Sequence, residues 1–467
     1  MKIIKACAII IPNVASPTSE LVNHTVYNDW KLAIKSLLQF RSYTTYRLVI
    51  PYKFLFQLVK LATKIGSQQI VKMLLTTFKQ CLLHQALARN VEEQETVEIL
   101  LENGADVNSW SKDGYLPIHI AAELDSLKNM QLNLLIKFGA NVDARRKNGW
   151  SAIHYAVYKK RTHIVRFLIE KGSDVNASTD PENYQTPIHI ATKVGSLDIV
   201  ALLVQNGASL EGGMPVHVAA HLGYVDFVKL MTSYGANINA RGPGGSAPIH
   251  YAVSQTFMDM AKYLLQNGAE VNAKSENGTM PIHLAAQSGC VSIMELLIKH
   301  GADVIAKGNI GLSPLHYVAY SKNVKAAQLL IDNGGNTHSA SEVGFTPIDL
   351  AIVFGSEGMF RLFLKNGGTV TQDSIRMAIE NHSTKMIKPL IEHGLDVNKR
   401  IGPFGKPAFY EAVKCGCIHC VEALNVCIKF GANTSMKDDE GKTSLEYALS
   451  KIRLGVFKFL SQNHNLK

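Results

Sequence analysis

Eleven glycines punctuate this chain at a near-constant interval: Gly104, Gly139, Gly172, Gly207, Gly235, Gly268, Gly301, Gly334, Gly367, Gly394 and Gly431. Half of the intervals are 33 residues and the others are 27–28 or 35–37. Each glycine follows an apolar stretch of helical character, as in IVRFLIEKG, IVALLVQNG, IMELLIKHG and MFRLFLKNG. A glycine just past a helix end adopts the left-handed conformation that stops the helix without a Cβ clash. One such stop repeated at this period means a stack of near-identical units whose core grows linearly along the chain. Ordinary size rules for globular domains therefore do not apply to its 467 residues.

Aligning the glycines brings a second signal into register. YLPIHIAA, WSAIHYAV, QTPIHIAT, GMPVHVAA, SAPIHYAV, TMPIHLAA, LSPLHYVA and FTPIDLAI all occupy one slot. Another glycine opens most units (Gly114, Gly149, Gly212, Gly245, Gly278, Gly311, Gly344), and a closing phrase recurs as GADVN, GANIN, GAEVN and GLDVN. Together these residues resemble the ankyrin repeat, with its T-P-L-H-x-A-A signature and period of about 33 residues. The resemblance implies an all-α solenoid of helix–turn–helix units with β-hairpin fingers along one edge.

The positions have physical roles. Thr186, Ser313 and Thr346 precede proline and are expected to cap the first helix, with proline at a position that needs no N–H. Alanines after the histidine keep that helix thin. Ile199, Val200, Leu202 and Leu203 give the second helix its apolar stripe. Asn-Gly and Asp-Val-Asn segments suit turns that project sideways. Eight clear units are expected over 113–369, degenerate repeats over 54–112 and 370–467, and a non-repeat helical cap over 1–53, including a helix from Trp30 to Phe40. ATKIGSQQIVKMLL at 62–75 follows ATKVGSLDIVALLV at 191–204 closely. Fingers are shortened at 207–215 and 367–376, which would notch the binding edge and kink the superhelix, against plain drift in a tolerant loop; Pro389 falls in the second helix of the latter unit.

Composition bounds the function. The net charge of +10 favours acidic partners without specifying nucleic acid. Seven cysteines, an odd number at irregular spacing, argue against a disulfide framework and for a reducing compartment, so a cytoplasmic location is expected. No apolar run is long enough for a membrane span; Leu48 to Ala62 is broken by Pro51, Lys53 and Lys60. The stretch MKIIKACAIIIPNVASP has some signal-peptide features, but its apolar run ends early at Pro12.

The chemical candidates are absorbed by the repeat. His119, His154, His189, His217, His250, His283 and His316 share one slot and stand a whole repeat apart, roughly 10 Å by helix-packing distance, too far to share a zinc ion. The resemblance assigns them backbone hydrogen bonds at the repeat junction. Cys415, Cys417, His419 and Cys420 lack a second pair at zinc-finger spacing, so no metal is expected. Arg145, Arg146 and Lys147 and, further on, Lys159, Lys160 and Arg161 are short basic runs without the interleaved aromatics of a nucleic-acid groove. They read as a solvated face or a site for an acidic protein. Phosphate-loop, nucleophile-elbow and zincin motifs are absent, and no cofactor or enzymatic activity is expected.

Similarity to the family implies a non-catalytic interaction module, monomeric, binding a protein on a concave face built from finger tips and first helices. The candidate contact positions are Tyr115, Glu123, Trp150, Tyr158, Lys159, Tyr184, Lys193, His221, Gln255, Gln287, Tyr320 and Phe345. Exposed aromatics at such positions are typical of binding hot spots. Two rival readings stand beside this one. The first is a secreted toxin or host-directed effector, since the P-I-H-rich units are similar to the ankyrin arrays of spider venom toxins. The second is a ubiquitin-ligase substrate adaptor, although the closing residues FKFLSQNHNLK show no adaptor-binding box. The family also implies that finger asparagines such as Asn108, Asn176, Asn239 and Asn272 are candidates for hydroxylation, against a plain role in the turn.

Overall fold

A computed structural model describes residues 52–64, 81–88, 94–124, 130–179, 184–211, 215–401, 406–415, 418–437 and 441–450, with a few isolated positions besides. Residues 1–51 of the expected cap over 1–53, six of the fourteen residues of the 62–75 match, Gly212 and Cys417 lie outside the described residues. So do the side chains of Cys415, His419 and Cys420.

The chain divides into two compact units, Met1–Pro215 and Val216–Lys467. Both are built from the same antiparallel helix pair. In the second unit the pairs include Pro248–Ser254 with Met258–Gln266, Pro281–Ser288 with Val291–Lys299, and Pro314–Ser321 with Val324–Asp332. Within each unit first helices pack on first helices, as Pro117–Glu123 does on Ala152–Tyr158 and Pro281–Ser288 on Pro314–Ser321, and in the second unit second helices pack on second, as Val291–Lys299 does on Val324–Asp332. Pro281 starts its helix from an extended residue, Met280 (φ −107°, ψ 164°). Ala285 and Ala286 are fully buried, which lets the adjacent first helix approach. The second helix turns Ile293, Met294 and Leu297 inward and ends at Gly301 (φ 87°). There the Gly301 N–H donates to the Ile298 carbonyl (2.9 Å) and the Ala302 N–H to that of Leu297 (3.0 Å), the paired bonds of a glycine helix stop.

Each unit has a spine. Leu100, Leu135, Leu168 and Leu203 in the first unit, and Met231, Leu264, Leu297, Leu330, Phe363 and Leu390 in the second, hold one slot and are fully buried. Each receives the hydrogen bond that closes its helix, so the residue anchors both the core and the stop.

The turn between the two helices of a unit was not legible as a repeating feature. It requires a left-handed residue, supplied by Gly195, Gly223, Gly289 and Gly355 but also by Lys160 (φ 57°), Thr256 (φ 59°), Lys322 (φ 57°) and His382 (φ 58°). A left-handed side-chain residue costs about 1–2 kcal/mol, most for a β-branched one. Thr256 is exposed, so Thr256→Gly is expected to stabilise the chain by about 1 kcal/mol, the relief exceeding the added entropy of glycine. Chemical denaturation would check it, and a lower midpoint for the glycine variant would refute the strain.

The fingers differ in detail from the hairpins expected. A two-stranded ladder pairs Arg400–Ile401 with Lys406–Pro407. Other fingers close through single turns, such as Ser111 N–H to Tyr115 carbonyl (2.8 Å), Arg146 to Trp150 (2.9 Å) and Ser275 to Thr279 (3.0 Å). Near Pro389 a 3₁₀ turn, Thr384–Met386, precedes a short helix, Ile387–Glu392. Pro389 thus sits in a first α-turn, where its missing N–H breaks no hydrogen bond.

Candidate protein-interaction surface

The slot histidines are positioned by the helix start. Met280 donates its N–H to Nδ1 of His283 (3.0 Å), and Nε2 of His283 donates to the Ala306 carbonyl of the following repeat (3.0 Å). The same pair of bonds recurs for His119, with Leu116 N–H (3.2 Å) and Ala144 carbonyl (2.8 Å), and for His154, with Ser151 N–H (3.1 Å) and Ala177 carbonyl (2.9 Å). His250 and His316 repeat it. Nδ1 faces an N–H, so each ring is neutral with its proton on Nε2. The expected threonine and serine caps are different in kind: the hydroxyls of Ser151, Thr186 and Ser313 donate to the histidine Nδ1 (2.9, 2.7 and 2.8 Å) rather than accepting a backbone N–H. Histidine performs the acceptor half that Glu or Gln has in a capping box. His84, buried and bonded through Nε2 to the Tyr115 carbonyl (3.1 Å), belongs to the same series; LLHQALA carried the signal.

Burial, opposed by the backbone bonds, holds His119, His217, His250, His283 and His316 below the ordinary histidine value and lowers His154 to about 4. These rings are structural bridges with no room for acid–base work near neutrality.

The finger asparagines do more than shape a turn. Asn272 Nδ2 donates to the Gly301 carbonyl (2.9 Å) while its Oδ1 accepts from Asp303 N–H (2.9 Å), one repeat on. Asn176, Asn239 and Asn398 form the same clamp. Each ties a helix stop to the preceding finger.

In the first unit the structure gathers Tyr115, Trp150, Tyr158 and Lys159 into one cluster. The Trp150 ring lies 5.1 Å from Tyr155 and 5.7 Å from Tyr158, edge-on to the latter. Arg146 is the rivet. Its guanidinium covers the Tyr115 ring at 3.7 Å and donates to the carbonyls of Gly114 (2.8 Å) and Asp113 (2.7 Å) and to the Tyr155 hydroxyl (2.7 Å). The basic run therefore contributes one pinned residue rather than a wholly solvated face. Lys159 pairs with Glu123 at 3.0 Å across adjacent repeats. Tyr158 and Tyr184 stand 52% and 62% exposed, and Lys193 is exposed, whereas Tyr115, Glu123 and Trp150 are half-buried. Trp110, 46% exposed on the preceding finger, joins the surface although the repeat pattern does not single it out.

In the second unit the candidates stay apart in kind. Tyr320 is exposed and edge-on to Phe354 at 5.3 Å; His221 is edge-on to Tyr251 at 6.1 Å. Gln255 and Gln287 are exposed. Phe345 is half-buried, its carbonyl accepting from His316 Nε2 (2.9 Å).

Among the described residues no three histidine, cysteine or acidic side chains converge as metal ligands, and no helix is long and apolar enough to cross a membrane. Burial pushes the Cys427 thiol up to about 12, so it is an inert core group at that position.

Comparison with protein families agrees with this architecture. A family model of three ankyrin repeats matches residues 83–179, 178–242 and 216–308, and a single ankyrin repeat matches 310–341. These matches cover more than half of the chain, and the helix pairs, glycine stops and histidine bridges recur throughout the matched residues. The chain belongs to the ankyrin repeat family.

Proposed function

We propose that this chain is a non-catalytic scaffold, acting as a monomer in the cytoplasm, whose concave face of fingers and first helices binds a protein with an acidic contact segment. Ankyrin repeats support a protein-interaction role in general. The observation that carries the finer reading is the set of exposed aromatics in the first unit, Trp110, Tyr158 and Tyr184, held on bonded fingers and helix ends. Large aromatics fixed in advance lose little entropy on binding and are the residue types that dominate interface energies. Shape presentation is the mechanism this reading assigns, and the use of the slot histidines as bridges between repeats supports it.

The test is capture of interacting proteins by the full chain and by Tyr158→Ala/Tyr184→Ala. Trp150 is left intact because it packs against Tyr155 and its loss would disturb the fold. A partner held by the parent chain is expected to weaken by about 2 kcal/mol or more, roughly 30-fold, at unchanged melting temperature. Equal binding by the variant would remove these tyrosines from the interface. Turnover of any substrate by the purified chain would overturn the scaffold reading.

A further inference from the structure

The fingers around Trp110–Gly114 and Arg146–Asn148 of the first unit enclose a groove of about 600 Å³. Its walls carry Trp110, Lys112, Asp113, Arg146, Lys147 and Asn148. We infer that this groove takes a short acidic segment of a partner protein, its carboxylates between Lys112 and Lys147 and its apolar flank on the Trp110 indole. The inference rests on the scaffold reading and gives it a place and a chemistry.

Three features converge on that occupant. Lys112 and Lys147 hold equivalent positions in successive units and both are exposed, so two ammonium groups border one groove. Neither is ion-paired among the described residues, and the groove's one carboxylate, Asp113, leaves it with a positive balance once Arg146 is counted. Trp110 supplies an exposed apolar plate beside those charges. The walls are preformed: Arg146 bonds the first finger's carbonyls at Gly114 and Asp113 while its own backbone closes the second finger on Trp150. A groove that needs no ordering keeps more of its contact energy on binding.

The positive character also stops short. In the sequence the following stretch, STDPENYQ, turns acidic with Asp180 and Glu182, a change of sign that a long polyanion does not suit. A nucleic-acid strand also requires a longer charged path with several stacking rings.

Fluorescence polarisation of the full chain tests this with three labelled probes: a twelve-residue peptide of alternating Glu and Pro, its Gln-for-Glu counterpart, and a twelve-nucleotide single-stranded DNA. The Glu peptide is expected to bind at least tenfold more tightly than the Gln peptide and more tightly than the DNA. Lys112→Glu/Lys147→Glu and Trp110→Ala are each expected to lower its affinity tenfold or more without shifting the melting temperature. Equal binding of the two peptides, no binding of either, or full binding by the lysine variant would overturn the assignment. Tighter binding of the DNA would replace the acidic peptide with a nucleic acid. Should the groove fail while Tyr158→Ala/Tyr184→Ala still releases a captured protein, the scaffold reading stands and the groove alone is lost; if both fail, the scaffold reading falls with it.

Discussion

Acidifying the chain from pH 7 to pH 5 is expected to lower its stability by several kcal/mol, before carboxylate protonation dominates. The cause is the histidine series. The rings of His119, His154, His250, His283 and His316 each accept the N–H of the residue that precedes the helix through Nδ1 and bridge to the next repeat through Nε2, so a proton on Nδ1 removes the acceptor and places a charge in a buried junction. Burial is the main reason that six rings of the series sit below the ordinary histidine value of 6.5. Arg146 beside His119, Arg145 near His154, His250 near His217, Arg241 near His250 and Lys307 near His316 add repulsion, while Asp174, Asp303 and Asp349 partly offset it at His154, His283 and His316.

The sign follows from proton binding. The unfolded chain takes up protons near pH 6.5 and the folded chain does so only at lower pH, so stability is full above 6.5 and declines as pH falls. For His154, with its folded value of about 4, the loss is about 2 kcal/mol by pH 5 and about 3 kcal/mol below pH 4. The other five add in the same direction. Urea midpoints measured across pH 5–8 check the slope, and His154→Gln supplies the control. A glutamine oxygen still accepts the Ser151 N–H but does not titrate. The variant is expected to be less stable at pH 8, having lost the ring's bond to Ala177, yet flatter in acid by about 1.4 kcal/mol per pH unit. A midpoint constant from pH 7 to pH 5 would show that the rings are not neutral bridges.

That series also shows how far the amino-acid sequence could be read. The histidine slot was legible because it recurs in register with the glycine stops, and its structural rather than metal-binding role followed from repeat spacing. The direction of its bonds was not legible. In one unit Asp349 fills the slot and accepts from Thr346 N–H (2.9 Å) and hydroxyl (2.6 Å), so the helix start needs an acceptor and only the bridge to the next repeat needs a ring. Features that occur once leave no periodic trace. Arg146 reaches the Gly114 carbonyl, and nothing in RRKNG separates that pinned arginine from its exposed neighbours Arg145 and Lys147. Trp110 escaped for the same reason: a tryptophan in a single finger has no counterpart to align with. Of the twelve positions proposed for binding, Tyr158, Lys159, Tyr184, Lys193, His221, Gln255, Gln287 and Tyr320 emerged exposed. Tyr115, Trp150 and Phe345 are partly covered, because finger residues facing the first helix serve the packing of the next unit, and Glu123, at the end of its first helix, is partly covered beside Lys159.

Leu297→Ala is expected to cost about 3–5 kcal/mol, and its form should differ from that of the same change in a globular core. Leu297 is fully buried in the spine, between the second helices of adjacent repeats, and its carbonyl closes the helix onto Ala302. Truncation removes the transfer energy of the side chain and leaves a cavity that the rigid helix pairs fill only in part. In a compact globule that loss is shared by the whole structure. In a stack each unit is stabilised by its two neighbours alone, so weakening one unit weakens two interfaces and lets the array separate there. The expected result is a denaturation curve in two steps, with the less stable step reporting the region around 281–301. Hydrogen exchange would locate it: amides of Val291–Lys299 and the flanking helices Met258–Gln266 and Val324–Asp332 should lose protection first. A single transition displaced uniformly to lower denaturant would mean that coupling between repeats exceeds the cavity cost and that the stack unfolds as one body.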